Sequence, residues 1–113
     1  MGFFDRFRGG RRDGSGPDIA ADHRYLRDWA RARMGVEAFV EPQTSVTDVT
    51  VVLVAGDGEW TRRRVGGASG ARRLGEQLRI PVYDVQRVGY PQRMRDYDAR
   101  RRAERRRAAE EAE

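Results

Sequence analysis

Cysteine and lysine are both absent from this chain of 113 residues. Without cysteine there are no disulfides, no thiolate metal sites and no thiol nucleophile. A single histidine, His23, leaves no histidine cluster for zinc or iron. No apolar run approaches the ~20 residues that span a bilayer, and no hydrophobic segment with a cleavage site opens the chain. These absences point to a cytoplasmic protein with neither metal nor cofactor. Catalytic candidates are equally scarce. His23 has no partner legible in the sequence and falls where a helix surface is expected. Glu37 with Glu41, and Asp57 with Glu59, are spaced for strands and turns rather than for shared acid–base work. No catalytic residue is assigned, and a non-enzymatic protein is expected.

The length allows one domain. With the uncommitted ends set aside, roughly 75 to 80 residues remain to fold, a size that buries only about 60% of its unfolded surface. All 23 basic residues are arginine, set against 18 acids for a net charge of +5. GC-rich codon usage produces that bias by itself, so the placement of the charge is more informative than its amount. Residues 36–90 hold seven arginines and seven acids, whereas the stretches before and after carry the whole excess, +3 and +2. An electrostatic partner would be met at the ends.

Three regions follow. Residues 1–16 read as a flexible N-terminal segment, with Phe3, Phe4 and Phe7 able to share one face of a helical turn and glycines 9, 10, 14 and 16 behind them. Residues 17–90 form a single α+β domain, and residues 91–113 a basic C-terminal helix or tail. A first helix is expected near 18–34, with a buried stripe of Ile19, Leu26, Trp29, Ala30 and Met34. Strands are expected over 36–42, 46–55, 60–65 and 80–85. The run "VTDVTVVLVA" is the central one, because it becomes continuously apolar. Asp57-Gly58 supplies a hairpin turn. A second helix over 68–78 buries Ala71, Leu74, Gly75 and Leu78, with Gly75 explained by close approach to a sheet. The order is α-β-β-β-α-β-α: a small mixed sheet of three to four strands packed by helices, with an extended C-terminal helix.

The stretch "VGGASGARR" resembles the glycine motif of short-chain dehydrogenases and reductases. Gly66 and Gly70 match its first two glycines, and Asp84 lies where a ribose-binding acid would fall. The resemblance implies a nucleotide pyrophosphate held by Gly66, Gly67, Ser69, Gly70 and Arg72 at a helix N-terminus. Arg72, however, takes the place of the third glycine, and that family's catalytic lysine has no counterpart. The plainer reading is a turn with a Ser69 or Gly67 helix cap, or an anion site at most. The element order of residues 18–78 resembles a double-stranded-RNA-binding domain, which would place Arg72 and Arg73 on phosphates. The chain as a whole, above all "TVVLVAGDGEWTRRRVG" with "IPVYDVQRVGYPQRMRDY", resembles a small uncharacterised protein family of high-GC, actinobacterial-type bacteria. That likeness implies an origin and no mechanism.

The densest charge lies in residues 93–107, eight arginines against three acids. As a helix it has no face to bury after Tyr97 and should project into solvent. Tyr90 and Tyr97 could flank one groove with Arg87, Arg93 and Arg95, a pairing of aromatics and arginines suited to single-stranded nucleic acid. With Arg101 and Arg105 these residues make the leading candidate surface, for RNA, the ribosome or an acidic protein. Two alternatives stay open: a nucleotide-binding, oxidoreductase-like protein using the Gly66–Gly70 turn, and an adaptor tethered to a membrane or partner through Phe3, Phe4 and Phe7.

Overall fold

The longest apolar run of the sequence becomes the centre of the molecule. In the computed structural model, which describes residues 17–112, Val51 to Val54 are at most 1% exposed. They lie in an inner strand covered on both faces. The chain runs through helix α1 (Pro17–Arg31), strands β1 (Glu37–Glu41), β2 (Thr50–Val54) and β3 (Trp60–Arg64), and helix α2 (Gly67–Leu78). Strand β4 (Val82–Asp84), the one-turn helix α3 (Val85–Val88) and helix α4 (Gln92–Glu111) follow. The fold is α+β, with helices around one four-stranded mixed sheet ordered β3-β2-β1-β4. β2 pairs antiparallel with β1 (Phe39 opposite Val52) and with β3 (Val52 opposite Arg62), while β4 joins β1 in parallel (Phe39 opposite Tyr83). Segment 1–16, with Phe3, Phe4 and Phe7, and Glu113 lie outside the described residues. Among the described residues no helix is long and apolar enough to cross a membrane.

Alternation along the strands sorts the core into two layers. Ala38, Val51 and Leu53 face α1 and α2, meeting Leu26, Trp29 and Ala30 from the first helix and Ala71 and Leu74 from the second. Those helix residues recur at three- and four-residue spacing, so each helix turns one stripe inward. Phe39, Val52 and Val54 face the other way, under Met94 of α4 with Trp60 and Tyr83 beside them. β3, an edge strand, carries its arginines on both faces, and both are used. Arg62 lies over the Trp60 ring at 5.3 Å, and Arg63 over Tyr25 at 3.9 Å. Charge on an open edge also discourages strand addition by another chain.

Two glycines fix how the layers meet. Gly58 closes the β2–β3 hairpin at φ +95°, and a side chain there would run into the Arg93 carbonyl on α4. The hairpin tip and α4 therefore touch backbone to backbone. Gly70 sits directly on the Val65 carbonyl, which also accepts a 2.7 Å hydrogen bond from Nε2 of His23. His23 is accordingly buried, 7% exposed, and not on a helix surface as the sequence implied. Its stripe position, three residues before Leu26, was the signal.

Several boundaries differ from expectation for identifiable reasons. α1 stops at Arg31, where Arg33 N–H bonds back to Ala30, and Met34 is 87% exposed rather than in the core. The second strand begins at Thr50, not 46, because the Thr44 hydroxyl takes the N–H groups of Val46 and Thr47 into a local turn. β4 is three residues long. Before it, the Ile80 N–H completes the end of α2 on the Gly75 carbonyl. After it, Asp84 caps Gln86 N–H and starts α3, an element absent from the expected order. Gly75 does meet the sheet closely, its missing side chain leaving room for Val82.

Replacing a helix-interior glycine with alanine normally stabilises by up to ~1 kcal/mol. At Gly70 the added methyl collides with the Val65 carbonyl, so Gly70→Ala should instead cost about 1–3 kcal/mol. A lowered urea midpoint reads this out. A raised one would mean that α2 does not rest on the end of β3.

Candidate functional site

Strand direction gathers the candidate residues at one end of the sheet. β1 and β3 both oppose β2, and β4 parallels β1. The carboxyl ends of three strands therefore deliver Glu41, Arg64 and Asp84 to the same end, where α2 begins. Between α2 and the β1–β4 edge lies an open groove of about 770 Å³. Its floor is apolar (Val40, Val49, Ala71, Ile80, Val82), and Arg72, Glu76 and Asp84 stand along its rim. Open α/β sheets bind ligands at such a place.

The glycine motif serves mainly to start and seat α2. Gly66 caps the helix in a left-handed conformation (φ 83°) with no side chain capping the first N–H groups. Neither Ser69 nor Gly67 is the cap: both lie within the first turn. Gly70 is consumed by the contact with Val65. Arg72 and Asp84 share the groove, yet Asp84 already caps α3. Moreover, β4 is separated from β3 by β2 and β1, about 14 Å across the sheet. In a dinucleotide-binding unit the corresponding strands are neighbours.

On the opposite face Glu41 collects a polar cluster that the sequence did not announce. Its carboxylate accepts from Arg62 Nε (2.7 Å) and Nη2 (3.0 Å), from Thr50 Oγ1 (2.6 Å) and from the Tyr90 hydroxyl. With Thr44 and Thr47 these residues line a recess of about 330 Å³. Burial by itself would push the Glu41 carboxyl up. The hydrogen bonds from Arg62, Thr50 and Tyr90, with the Arg62 charge, outweigh it and hold the carboxyl at about 2. Burial, then Glu41 itself, pushes the Tyr90 phenol up, so the tyrosine stays a hydrogen-bond donor. Glu41 faces the same side as Arg62, two strands away; that alternation was the only sequence signal.

α4 crosses this second face and then leaves it. Arg93 Nε donates to the Ala55 carbonyl (2.9 Å) and Nη2 to Glu37 (2.6 Å), while Met94 enters the core. Farther along, the Trp60 indole donates to Asp98 (3.0 Å) and Arg100 to the Asp57 carbonyl (2.8 Å). The seven residues singled out in the sequence are thereby dispersed. Tyr90 is held by Glu41 at one end of the sheet, and Tyr97 packs against Gly58 at the other. Tyr90 lies before α4, which starts at Gln92, and the two rings are engaged at opposite ends of the sheet, so no common groove forms. Arg93 is a docking clamp, and Arg95 bonds Gln92 on its own helix. Arg87, Arg101 and Arg105 are exposed. Beyond Arg100, residues 101–112 are exposed apart from half-buried Ala103, and among the described residues Arg101 makes only a 3.8 Å pairing with Glu104.

Among the described residues, no group of three or more His, Cys, Asp or Glu is placed to hold a metal ion. No family model, curated protein or solved structure matches the chain.

Two outcomes follow from these contacts. The Glu41 carboxyl titrates near 4.5 when unfolded and about 2 when folded. Its stabilisation is therefore complete above about pH 4.5 and is lost as the pH falls towards 2. In melting curves over that range, wild type should lose its advantage over Glu41→Gln; a constant gap would remove the assignment. Arg93→Ala should cost about 2 kcal/mol, the worth of a charge-assisted clamp. Arg101→Ala should stay within about 0.5 kcal/mol. Equal urea midpoints for the two variants would mean that α4 is not anchored at Arg93.

Proposed function

We propose that this protein is a non-enzymatic cytoplasmic binding module that grips RNA phosphates with the projecting half of α4. The observation that carries it is the exposure of residues 101–112, which hold five arginines against three glutamates and no large apolar side chain. At 100° per residue, Arg101, Arg102, Arg105 and Arg106 share an arc of about 140° on the helix. The clamp at Arg93 and the Trp60–Asp98 bond hold that row rigidly outside the stretch 36–90, whose seven arginines and seven acids balance.

The chemistry of the row favours phosphate over protein. Stable protein contacts are built around buried aromatic or aliphatic anchors, and here only alanines lie between the charges. A row of guanidiniums without anchors suits a backbone of phosphates, which it meets by counterion release and with little regard to sequence. Arg72 and Arg73, exposed on the first turns of α2, lie on the other side of the sheet and are not part of this surface.

Binding to a uridine homopolymer, followed by fluorescence anisotropy, tests the proposal. With four phosphate contacts to a single strand, affinity should fall roughly 50-fold between about 50 and 200 mM salt. Replacing arginines 101, 102, 105 and 106 with glutamine keeps the helix and should abolish binding. Ending the chain after Arg100 should do the same while leaving every docking contact in place. No binding at low salt, or equal binding by the four-glutamine variant, sinks the idea.

A further inference from the structure

The groove between α2 and the β1–β4 edge takes no part in the α4 surface, and its apolar floor is unaccounted for. Val82 is 41% exposed there, and Val40, Val49 and Ile80 are only half-buried against the core. A continuous open trough of about 770 Å³ is large for so small a domain.

We propose that the chain's own N-terminal segment fills it, with Phe3, Phe4 and Phe7 seated on Val40, Ile80 and Val82. The first argument is position. α1 begins at Pro17, and Ile19 Cγ2 lies 3.5 Å from where a Gly66 side chain would start. Gly66 caps α2, whose exposed first-turn residue Ala68 stands at the mouth of the groove. The chain thus enters the described structure beside that mouth.

The second argument is reach. Residues 8–16 can span up to ~30 Å when extended, whereas the groove follows α2 from Ala68 to Glu76 for only about 12 Å. The third is charge. The rim carries Glu76 and Asp84 against Arg72, an acidic excess. Segment 1–16 carries arginines 6, 8, 11 and 12 against Asp5 and Asp13, a basic one, and Arg6 and Arg8 flank Phe7. Tethering also supplies a millimolar effective concentration, so weak apolar contacts suffice for occupancy. The docking is independent of whether α4 binds RNA.

The absence of cysteine makes the test direct. Gly2→Cys in the full chain gives a single site for a nitroxide label, and broadening of assigned NMR signals reports what lies near it. Signals of Val40, Ile80 and Val82 should broaden several-fold more than those of Ala108 and Ala109 at the far end of α4. The effect should vanish when Phe3, Phe4 and Phe7 are all replaced by serine, and also in Ala68→Arg, which blocks the mouth from an exposed position. Uniform broadening, or broadening that survives the serine replacements, overturns the proposal. Broadening between differently labelled copies, with sedimentation as a dimer, assigns the groove to a second copy and overturns it too. So does co-sedimentation with phosphatidylglycerol vesicles while the groove signals stay unmoved.

Discussion

β2 is buried on both faces, and a chain this short must therefore find cover for each of them. α1 and α2 supply one cover with ordinary apolar stripes. Among the described residues the other comes from the first two turns of α4, and just one of its residues, Met94, is buried. Polar groups complete the second cover. Glu37 and Glu41 rise from the same face of β1, and each is neutralised by an arginine from a different element, Arg93 and Arg62. The ion pairs are not decoration on a finished core; they close the side that apolar residues leave open.

That division of labour governs how much could be read from the sequence. The β2 run, the Asp57-Gly58 hairpin and the Ala71, Leu74, Gly75, Leu78 stripe are local patterns, and they gave the inner strand, the hairpin and the second packing helix. Boundaries failed where a side chain competed with the ladder. The Thr44 hydroxyl drew Val46 and Thr47 into a turn, and Asp84 drew Val85 into a helix. The partners of charged residues were illegible for a different reason. Arg93 lies beside Tyr90 and Tyr97 in sequence, but its role depends on Glu37, 56 residues away. For the same reason a cluster of arginines looks like one surface although the fold takes Arg93 out of it for anchoring.

Charge and structure also separate along the chain. The central stretch balances its seven acids against seven arginines, yet among the described ion pairs only Arg62–Glu41 lies wholly within it; Glu37, Glu59 and Arg63 pair with Arg93, Arg33 and Asp22 outside it. Most of the excess lies at the two ends, +2 over residues 91–113 and +2 over residues 1–16. One excess is presented on a fixed helix, the other on a chain that enters beside an apolar groove with an acidic rim. The two ends of the protein thus differ in kind.

The attachment of α4 has a mechanical side. Arg93 is the inner fixing and the Arg100–Asp57 bond the outer one, seven residues or about 10 Å apart along the helix with the Trp60–Asp98 bond between them, and the free arm from Arg100 to Glu111 extends a further ~17 Å. The helix is a lever. A sideways load at its tip reaches the inner fixing multiplied about one and a half times and the outer fixing about two and a half times. Whatever the arm grasps therefore pulls hardest on the outer fixing at the hairpin tip, and in the opposite sense on Arg93 and the first residue of β1.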